Sequence, residues 1–474
     1  MTISPLLTDL YELTMLAGYL EQGMEEKHAV FDLFFRTNPF EGGYAVFAGL
    51  EPALQYLENL KFSSEELEYL RGLKLFPPRF IEFLADFRFN CRVSAPPEGT
   101  VVFANEPLLT VEGPLAVAQF VETALLNIIN FQTLAATKAA RINYAAGGAR
   151  VIEFGLRRAQ GPDGGLSSAR GAYVGGVRCT SNVQAGMLYG LAVQGTHAHS
   201  WVLAFQDELT AFRAYAASFP DSSVLLVDTY DTLTSGIPNA IIVARELRRK
   251  GHELRGIRLD SGDLAYLSRE ARRMLDDAGF PEVCIVASNE LDEYVITSIR
   301  EEGGRVDIYG VGTRLATCAG PGGGALGGVY KLVEMDGRPK MKTTSDIAKA
   351  TLPGIKRVLR VSSKESGYVQ DVVCLEDDRP KPGERVFHPL NPLQNTLIPK
   401  DVEFQEVRQV VMEQGKRTGA GAPESLEDMA ERSALQLSLL PKGCLRFVNP
   451  HLYKVSISGK LNDLRNRLMS ELQS

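Results

Sequence analysis

The sequence is short of several things, and each shortage excludes a class of protein. Cysteine is scarce and scattered: six residues, Cys91, Cys179, Cys284, Cys318, Cys374 and Cys444, with no Cys-x-x-Cys pair in 474 positions. That spacing excludes a zinc ribbon or a dithiol redox centre. A chain of this length does not depend on a disulfide framework, so reduced thiols in the cytoplasm are expected. Basic residues do not prevail, and the formal net charge is −7. Nucleic-acid binding wants a basic face, so no such partner is expected. The longest apolar runs, such as 124–129, fall far short of the ~20 residues of a membrane span, so no membrane partner is expected either. Met1 to Asp9 carries neither the basic start nor the apolar stretch of a signal peptide. There is no internal repeat and no low-complexity tract.

What is present is an ordinary globular composition, 45% hydrophobic and 23% charged. The length suggests two or three domains. The opening part reads as mixed α+β: a helix over 6–23 with Leu10, Leu13, Leu16 and Leu20 on one face, a strand at 29–36, helices at 44–60 and 64–72, short strands around 91–113, and an apolar helical stretch at 114–145. The middle is different. Short apolar strands at 150–154, 224–227, 256–259, 283–287 and 306–309 each run into polar or glycine-rich residues, and several continue into amphipathic helices. That recurrence predicts parallel α/β. In the barrel form the chemistry sits in the loops after the strands, on one common face; an open doubly wound sheet is the alternative. Residues 376–401 are Pro-rich and charged and read as a linker, followed by a strand over 402–413 and a helix over 423–440.

The polar clusters all follow those strands. Gly-Ile-Arg-Leu-Asp-Ser-Gly-Asp at 256–263 puts Arg258, Asp260 and Asp263 on one rim. A guanidinium beside carboxylates suits a polyanion arriving with a metal ion. Asp263 serves equally as a helix cap. Glu153-Phe-Gly-Leu-Arg-Arg carries Phe154, Arg157 and Arg158 into a glycine-rich loop, where arginines can clamp a phosphate or a carboxylate. Gly-Thr-His-Ala-His-Ser-Trp at 195–201 holds Thr196, His197, His199 and the only tryptophan. On a strand the two histidines would face the same way. No third metal ligand lies nearby, so each ring is either packed in the core or acts as a nucleophile or proton-transfer group. Gly310-Val-Gly-Thr, with Gly310, Gly312 and Thr313, could offer backbone N–H groups to a phosphate. Lys331, Lys342, Lys349 and Lys356 form a solvated face or close over an anionic substrate.

Taken together these segments resemble the nicotinate phosphoribosyltransferase family. The resemblance runs in order over most of the chain: Thr8-Asp-Leu-Tyr-Glu-Leu-Thr-Met, Phe34-Phe-Arg-Thr-Asn-Pro-Phe, Glu153 to Gly164, Thr180-Ser-Asn, Gly195-Thr-His-Ala-His-Ser, Ile257 to Asp263, Tyr309-Gly-Val-Gly-Thr, and Lys342-Thr-Thr-Ser through Pro353-Gly-Ile-Lys. It implies an irregular α/β barrel of the type II phosphoribosyltransferase kind at 146–360. An α+β domain at 1–145 would be completed by the C-terminal segment 361–474 packing back on it. It implies conversion of nicotinate and 5-phosphoribosyl-1-pyrophosphate to nicotinate mononucleotide and pyrophosphate, in NAD salvage. ATP hydrolysis would be coupled through a phosphohistidine at His199, with Mg²⁺ as cofactor and a homodimer sharing its active sites.

By the same resemblance Tyr11 and Phe154 sandwich the pyridine, with Tyr11 coming from the partner subunit. Arg157, Thr196 and Arg258 surround the nicotinate and ribose phosphate. Asp260 meets the ribose hydroxyls or Mg²⁺, and Gly310, Gly312 and Thr313 hold the 5′-phosphate. Ser181 stands where the nicotinamide-using relative has an aspartate, which favours the acid over the amide. The alternatives are a nicotinamide or quinolinate phosphoribosyltransferase on the same fold, or a non-catalytic nucleotide-sensing relative.

Overall fold

A computed structural model describes residues 3–342, 350–391 and 393–473; Lys349 and the Thr343-Thr-Ser motif lie outside the described residues. The chain divides into two compact units, residues 138–324 and residues 1–137 with 325–474.

The 138–324 unit carries seven strands: β1 (Arg150–Glu153), β2 (Cys179–Thr180), β3 (Ala192–Val193), β4 (Val224–Leu226), β5 (Gly256–Leu259), β6 (Cys284–Ala287) and β7 (Ile308–Val311). Their order in the sheet is β3-β2-β1-β7-β6-β5-β4, every pair parallel. The order is cyclic in the chain: the last strand pairs with the first, and the sheet is open only between β3 and β4. This is mixed α/β built on a parallel half-barrel, not a doubly wound sheet. Most of these strands are buried and apolar because crossover helices cover them, whereas β3, at the open edge, is exposed. Helix Leu264–Asp277 shows how: it turns Leu264, Ala265, Ala271 and Leu275 inward and begins on Asp263, whose carboxylate accepts from the Tyr266 N–H at 2.9 Å. Asp263 is therefore a cap.

The expected strand at 195–201 does not form. Residues 194–198 are irregular and His199–Leu203 is a short helix. The reason is local: β3 is only two residues long, and His197 Nε2 accepts the Leu226 N–H of β4 at 3.2 Å, so a side chain stands in for a ladder bond across the open seam.

The other unit is built from both ends of the chain. Strand His28–Phe35 pairs antiparallel with Leu109–Pro114 on one side and Gly328–Met335 on the other. This pairing draws the chain after Gly324 out of the barrel unit, so that unit closes earlier than the expected residue 360. Gln409–Glu413 extends the same seven-stranded sheet against Arg92–Ala95. Helix Leu10–Glu21 seats Leu13, Leu16 and Leu20 in its core. The presumed linker 376–401 contains strands Arg385–Phe387 and Asn395–Leu397, which belong to a second, six-stranded sheet. The expected single strand at 402–413 is two, Glu403–Glu406 and Gln409–Glu413, one in each sheet.

The stretch Leu115–Ala146 is long and apolar enough to cross a membrane by length and composition, but 67% of its most apolar window is buried inside the fold. Its later turns carry charge. Lys138 Nζ and Arg141 Nε donate to the two carboxylate oxygens of Glu293 at 2.6 and 2.8 Å, with all three side chains buried. Burial would raise the Glu293 carboxyl, but the two cations outweigh it and hold the group below its ordinary range. Removing one member strands the others without counter-charge. Glu293→Ala should cost about 3–5 kcal/mol of stability, read by chemical unfolding; a loss within experimental scatter would show that the cluster relaxes to solvent.

Candidate active site

Every polar cluster singled out in the middle of the sequence sits at the carboxyl end of a barrel strand, on the face where α/β barrels carry their chemistry. Arg258, inside β5, is the hub. Its Nε donates to Ser288 Oγ beyond β6 at 2.8 Å, its Nη1 to Thr196 Oγ1 beyond β3 at 2.9 Å, and its Nη2 to Asp260 Oδ1 at 2.9 Å. Ser288 Oγ also donates to Asp260 Oδ1. Burial would raise the Asp260 carboxyl, but Arg258, Ser288 and His199 outweigh it and hold the group below the ordinary carboxylate range. It is thus an anion throughout the neutral region.

Asp228, just past β4, links this network to the histidine. Its Oδ1 lies 3.3 Å from His199 Nε2. Its Oδ2 accepts the Asp260 N–H at 2.9 Å and the Ser261 O–H at 2.6 Å. The Asp228 side chain is 1% exposed and that of His199 41%: a buried carboxylate anchors a ring that reaches solvent. His197 differs. It is buried against Phe212 and Tyr215, and burial pushes its imidazole below the ordinary value. It is a packed histidine.

On the opposite side of the sheet opening, Glu153 ends β1. Its buried carboxylate accepts from the Gly155 N–H and from Thr180 Oγ1, the latter at 2.6 Å. Burial pushes the acid up despite both donors. These bonds fix the turn that presents Phe154, whose ring centroid lies 5.6 Å from the Arg258 guanidinium carbon. Arg157 is exposed in the next turn, with Nη1 3.4 Å from the Phe154 carbonyl. Ser181 follows β2 and is held by its N–H to the Glu153 carbonyl at 2.9 Å.

Gly310 packs against the ring of Phe154. It lies within β7, paired with Ile152 of β1. A Cβ there would come within 2.6 Å of Phe154 Cδ2 and Cε2. Its want of a side chain makes room for the ring, while Gly312 and Thr313 lie beyond the strand. Thr313 Oγ1 donates to Glu290 Oε1 at 3.0 Å.

The structure thus brings Thr196, His199, Arg258 and Asp260 into one bonded network, with Phe154 and Gly310 beside it. Tyr11 belongs to the other unit, where its ring is 45% exposed on helix Leu10–Glu21. Asp228, Ser288 and Glu153 were not picked out as functional. The signal was there for the first two: each is the first polar residue after an apolar strand, as Asp260 is.

Among the described residues no group of three or more His, Cys, Asp or Glu side chains forms a metal cage. Asp260 nonetheless suits Mg²⁺, which is held by one or two carboxylates together with substrate phosphates. Its Oδ1 is engaged by Arg258 and Ser288, while its side chain stays partly open to solvent.

Comparisons with known proteins point to one family and one fold. The nicotinate phosphoribosyltransferase (NAPRTase) N-terminal domain model matches residues 6–130, and the nicotinate phosphoribosyltransferase C-terminal domain model matches 355–465. A nicotinate phosphoribosyltransferase of Bacillus subtilis is 43% identical over 98% of this chain and 97% of its own length. The crystal structure of human nicotinic acid phosphoribosyltransferase superposes with a TM-score of 0.86 at 33% identity, covering 97% of this chain and 99% of that one. A nicotinate-nucleotide pyrophosphorylase from Pyrococcus furiosus, at 24% identity and TM-score 0.70 over 91% and 94% of the two chains, shares the fold.

The fit of Phe154 against Gly310 is open to direct test. Gly310→Ala should push the ring aside and cost about 1–3 kcal/mol, whereas Gly312→Ala, whose Cβ would lie 3.2 Å from the Phe154 carbonyl oxygen, should cost less. Unfolding of the two variants decides it; equal losses would remove the ring from the explanation.

Proposed function

The chain belongs to the nicotinate phosphoribosyltransferase family, and on that premise we propose how its own residues carry out the reaction. It is a nicotinate phosphoribosyltransferase of NAD salvage. The reading here is that nicotinate and 5-phosphoribosyl-1-pyrophosphate give nicotinate mononucleotide and pyrophosphate, with ATP hydrolysed alongside. The observation that supports it best is the network in which Asp228 joins His199 to the Arg258–Asp260 pair.

The pyridine nitrogen displaces pyrophosphate at the anomeric carbon of the ribose. The protein needs no covalent nucleophile for the sugar. It has to orient two substrates and stabilise charge on the leaving group. Phe154 stacks one face of the pyridine, and Tyr11 from a second copy of the chain stacks the other, so the active form is a homodimer with shared sites. Arg157, Thr196 and Arg258 meet the carboxylate and the ribose phosphate. Asp260 takes the ribose hydroxyls and is the residue that would hold Mg²⁺, which supplies charge neutralisation at the pyrophosphate. Gly312 and Thr313, with Gly310 behind them, receive the 5′-phosphate. Ser181 leaves room for a carboxylate where an aspartate would repel it.

His199 is the phosphoryl acceptor. The Asp228 contact at Nε2 favours the tautomer with its proton on that nitrogen, leaving the Nδ1 lone pair outward. An N–P bond forms there as the P–O bond to ADP breaks, and water later cleaves it to release phosphate. The added negative charge next to Arg258 and Asp260 links ATP use to substrate binding. Six unpaired thiols support a reducing, cytoplasmic setting.

Product formation from purified protein, with nicotinate, nicotinamide or quinolinate and with or without ATP, tests the reading. Nicotinate should be preferred and ATP should stimulate. His199→Ala should lose the stimulation and any acid-labile phosphate on the protein while keeping basal transfer; retained ATP coupling would sink the phosphohistidine. Ser181→Asp should raise the KM for nicotinate by roughly tenfold, the effect of one opposed charge in a partly buried site, and an unchanged KM would take Ser181 out of the specificity argument.

A further inference from the structure

Helix Leu10–Glu21 leaves Tyr11 partly exposed and buries the next residue, Glu12, within reach of the Tyr11 phenol. Tyr11 is 45% exposed, whereas Glu12 is wholly buried. The Glu12 carboxyl does not meet a cation. It meets another carboxyl: Gln119 Nε2 donates both to Glu12 Oε2, at 2.9 Å, and to Glu122 Oε2, at 3.0 Å. Glu12 Oε1 is buried without a hydrogen-bond partner. Asp9 brings a third carboxylate to the same helix start, where Thr123 Oγ1 donates to it at 3.1 Å. A cation, Lys331, lies 3.9 Å from Glu122 Oε1, the oxygen that Gln119 does not bond. Around Glu12 stand the phenols of Tyr11, Tyr19, Tyr56 and Tyr330, each raised first by its own burial and further by the Glu12 charge.

One amide cannot serve two ionised carboxylates in a buried site at low cost. Like charges at that separation push a proton onto one of them, and the deeper group, with a bare oxygen, is the one that keeps it. Burial first, then Glu122 and Asp9, lift Glu12 to about 7 against the opposing Gln119 and Tyr11 bonds. The consequence for stability has a definite sign. A raised carboxyl contributes most below its ordinary 4.5, and that contribution is lost as pH climbs toward 7.

We propose that Glu12 is a positioning residue for the nicotinate site: as the neutral acid it seats the first turn of helix Leu10–Glu21 and so holds the Tyr11 ring for stacking, and its ionisation unseats that turn. The inference rests on the reading of Tyr11 given above. Ionised Glu12 must either face Glu122 across the shared amide or pull toward water, and both movements act on the residue bonded to it. The effect belongs to ring capture rather than to the displacement, so it falls on nicotinate KM and leaves kcat at saturation largely unchanged.

The test uses the full-length enzyme, with KM and kcat for nicotinate measured from about pH 6 to about pH 8.5. For the parent enzyme KM should climb roughly thirtyfold, as expected when only the protonated form binds and the midpoint lies at about 7. Glu12→Gln, which keeps a neutral hydrogen-bonding group, should flatten the climb. Glu122→Gln removes the opposing charge and should move the inflection to lower pH. If Glu12→Gln keeps the parent profile, the proposal falls. If that variant does not fold, an unmoved inflection in Glu122→Gln overturns the proposal equally. Tyr11→Ala separates the two layers: a KM unchanged by it at about pH 6 defeats the stacking reading and the inference together. A KM raised by Tyr11→Ala, with the parent pH profile kept in Glu12→Gln, defeats the Glu12 role alone.

Discussion

The site hangs on the bond between Arg258 and Asp260. Arg258 lies in β5 and Asp260 directly follows its end, and each neutralises the other in a place where an isolated charge would be costly. Everything else in the network is placed by them. Ser288 is fixed because it bonds to both, Thr196 because it takes a guanidinium N–H, and Asp228 because the Asp260 and Ser261 donors converge on one of its oxygens. Four loops that follow four different strands are thereby tied through their side chains. Charge-assisted bonds are the strong ones in such a setting, and a network with every member bonded is rigid.

The open seam of the half-barrel gives that network its shape. A closed ladder between β3 and β4 would occupy the backbone groups there and leave no gap for a second substrate. The protein bridges the seam with side chains: His197 takes the Leu226 N–H deep in the fold, and His199 reaches Asp228 at the rim. Two histidines of one short motif divide the work by depth. The inner one is desolvated and structural. The outer one remains exposed and chemically available. Their separation comes from the chain leaving extended conformation after β3, which a reading based on strand alternation could not foresee.

Much of this was legible in the sequence, and the reasons it was legible are physical. Short apolar runs followed by polar residues predict parallel strands with loops on a common face, and Phe154, Thr196, His199, Arg258 and Asp260 lie on that face. The half-barrel was legible for the same reason. Three things were not. The pairing of His28–Phe35 with Gly328–Met335 is a contact across some three hundred positions, and nothing in either segment alone announces it, so the barrel unit was drawn too long. The strands inside 376–401 are short and lie in a segment rich in charge and proline, and they are strands because they pair with each other and, through Phe387, with Lys454–Ile457. The packing of Gly310 against Phe154 depends on which strand lies next to β1.

The substrate-free network also explains how a cation can wait for a polyanion without collapsing the pocket. Arg258 already has its donors committed to Asp260, Thr196 and Ser288, with a side chain only 12% exposed. An incoming pyrophosphate or carboxylate does not have to order a mobile guanidinium. It competes for donors whose direction is already set, so little side-chain entropy remains to be lost on binding. Thr196 and Ser288 are neutral and release their bonds at modest cost, while Asp260 keeps the guanidinium facing the opening. The arrangement trades some attraction in the ground state for orientation, and orientation is what a displacement reaction needs when the leaving group carries the charge. Phosphorylation at His199 would add its charge at the Asp228 end of this network, where a change in one carboxylate's partners is felt at Asp260 through a single shared backbone N–H.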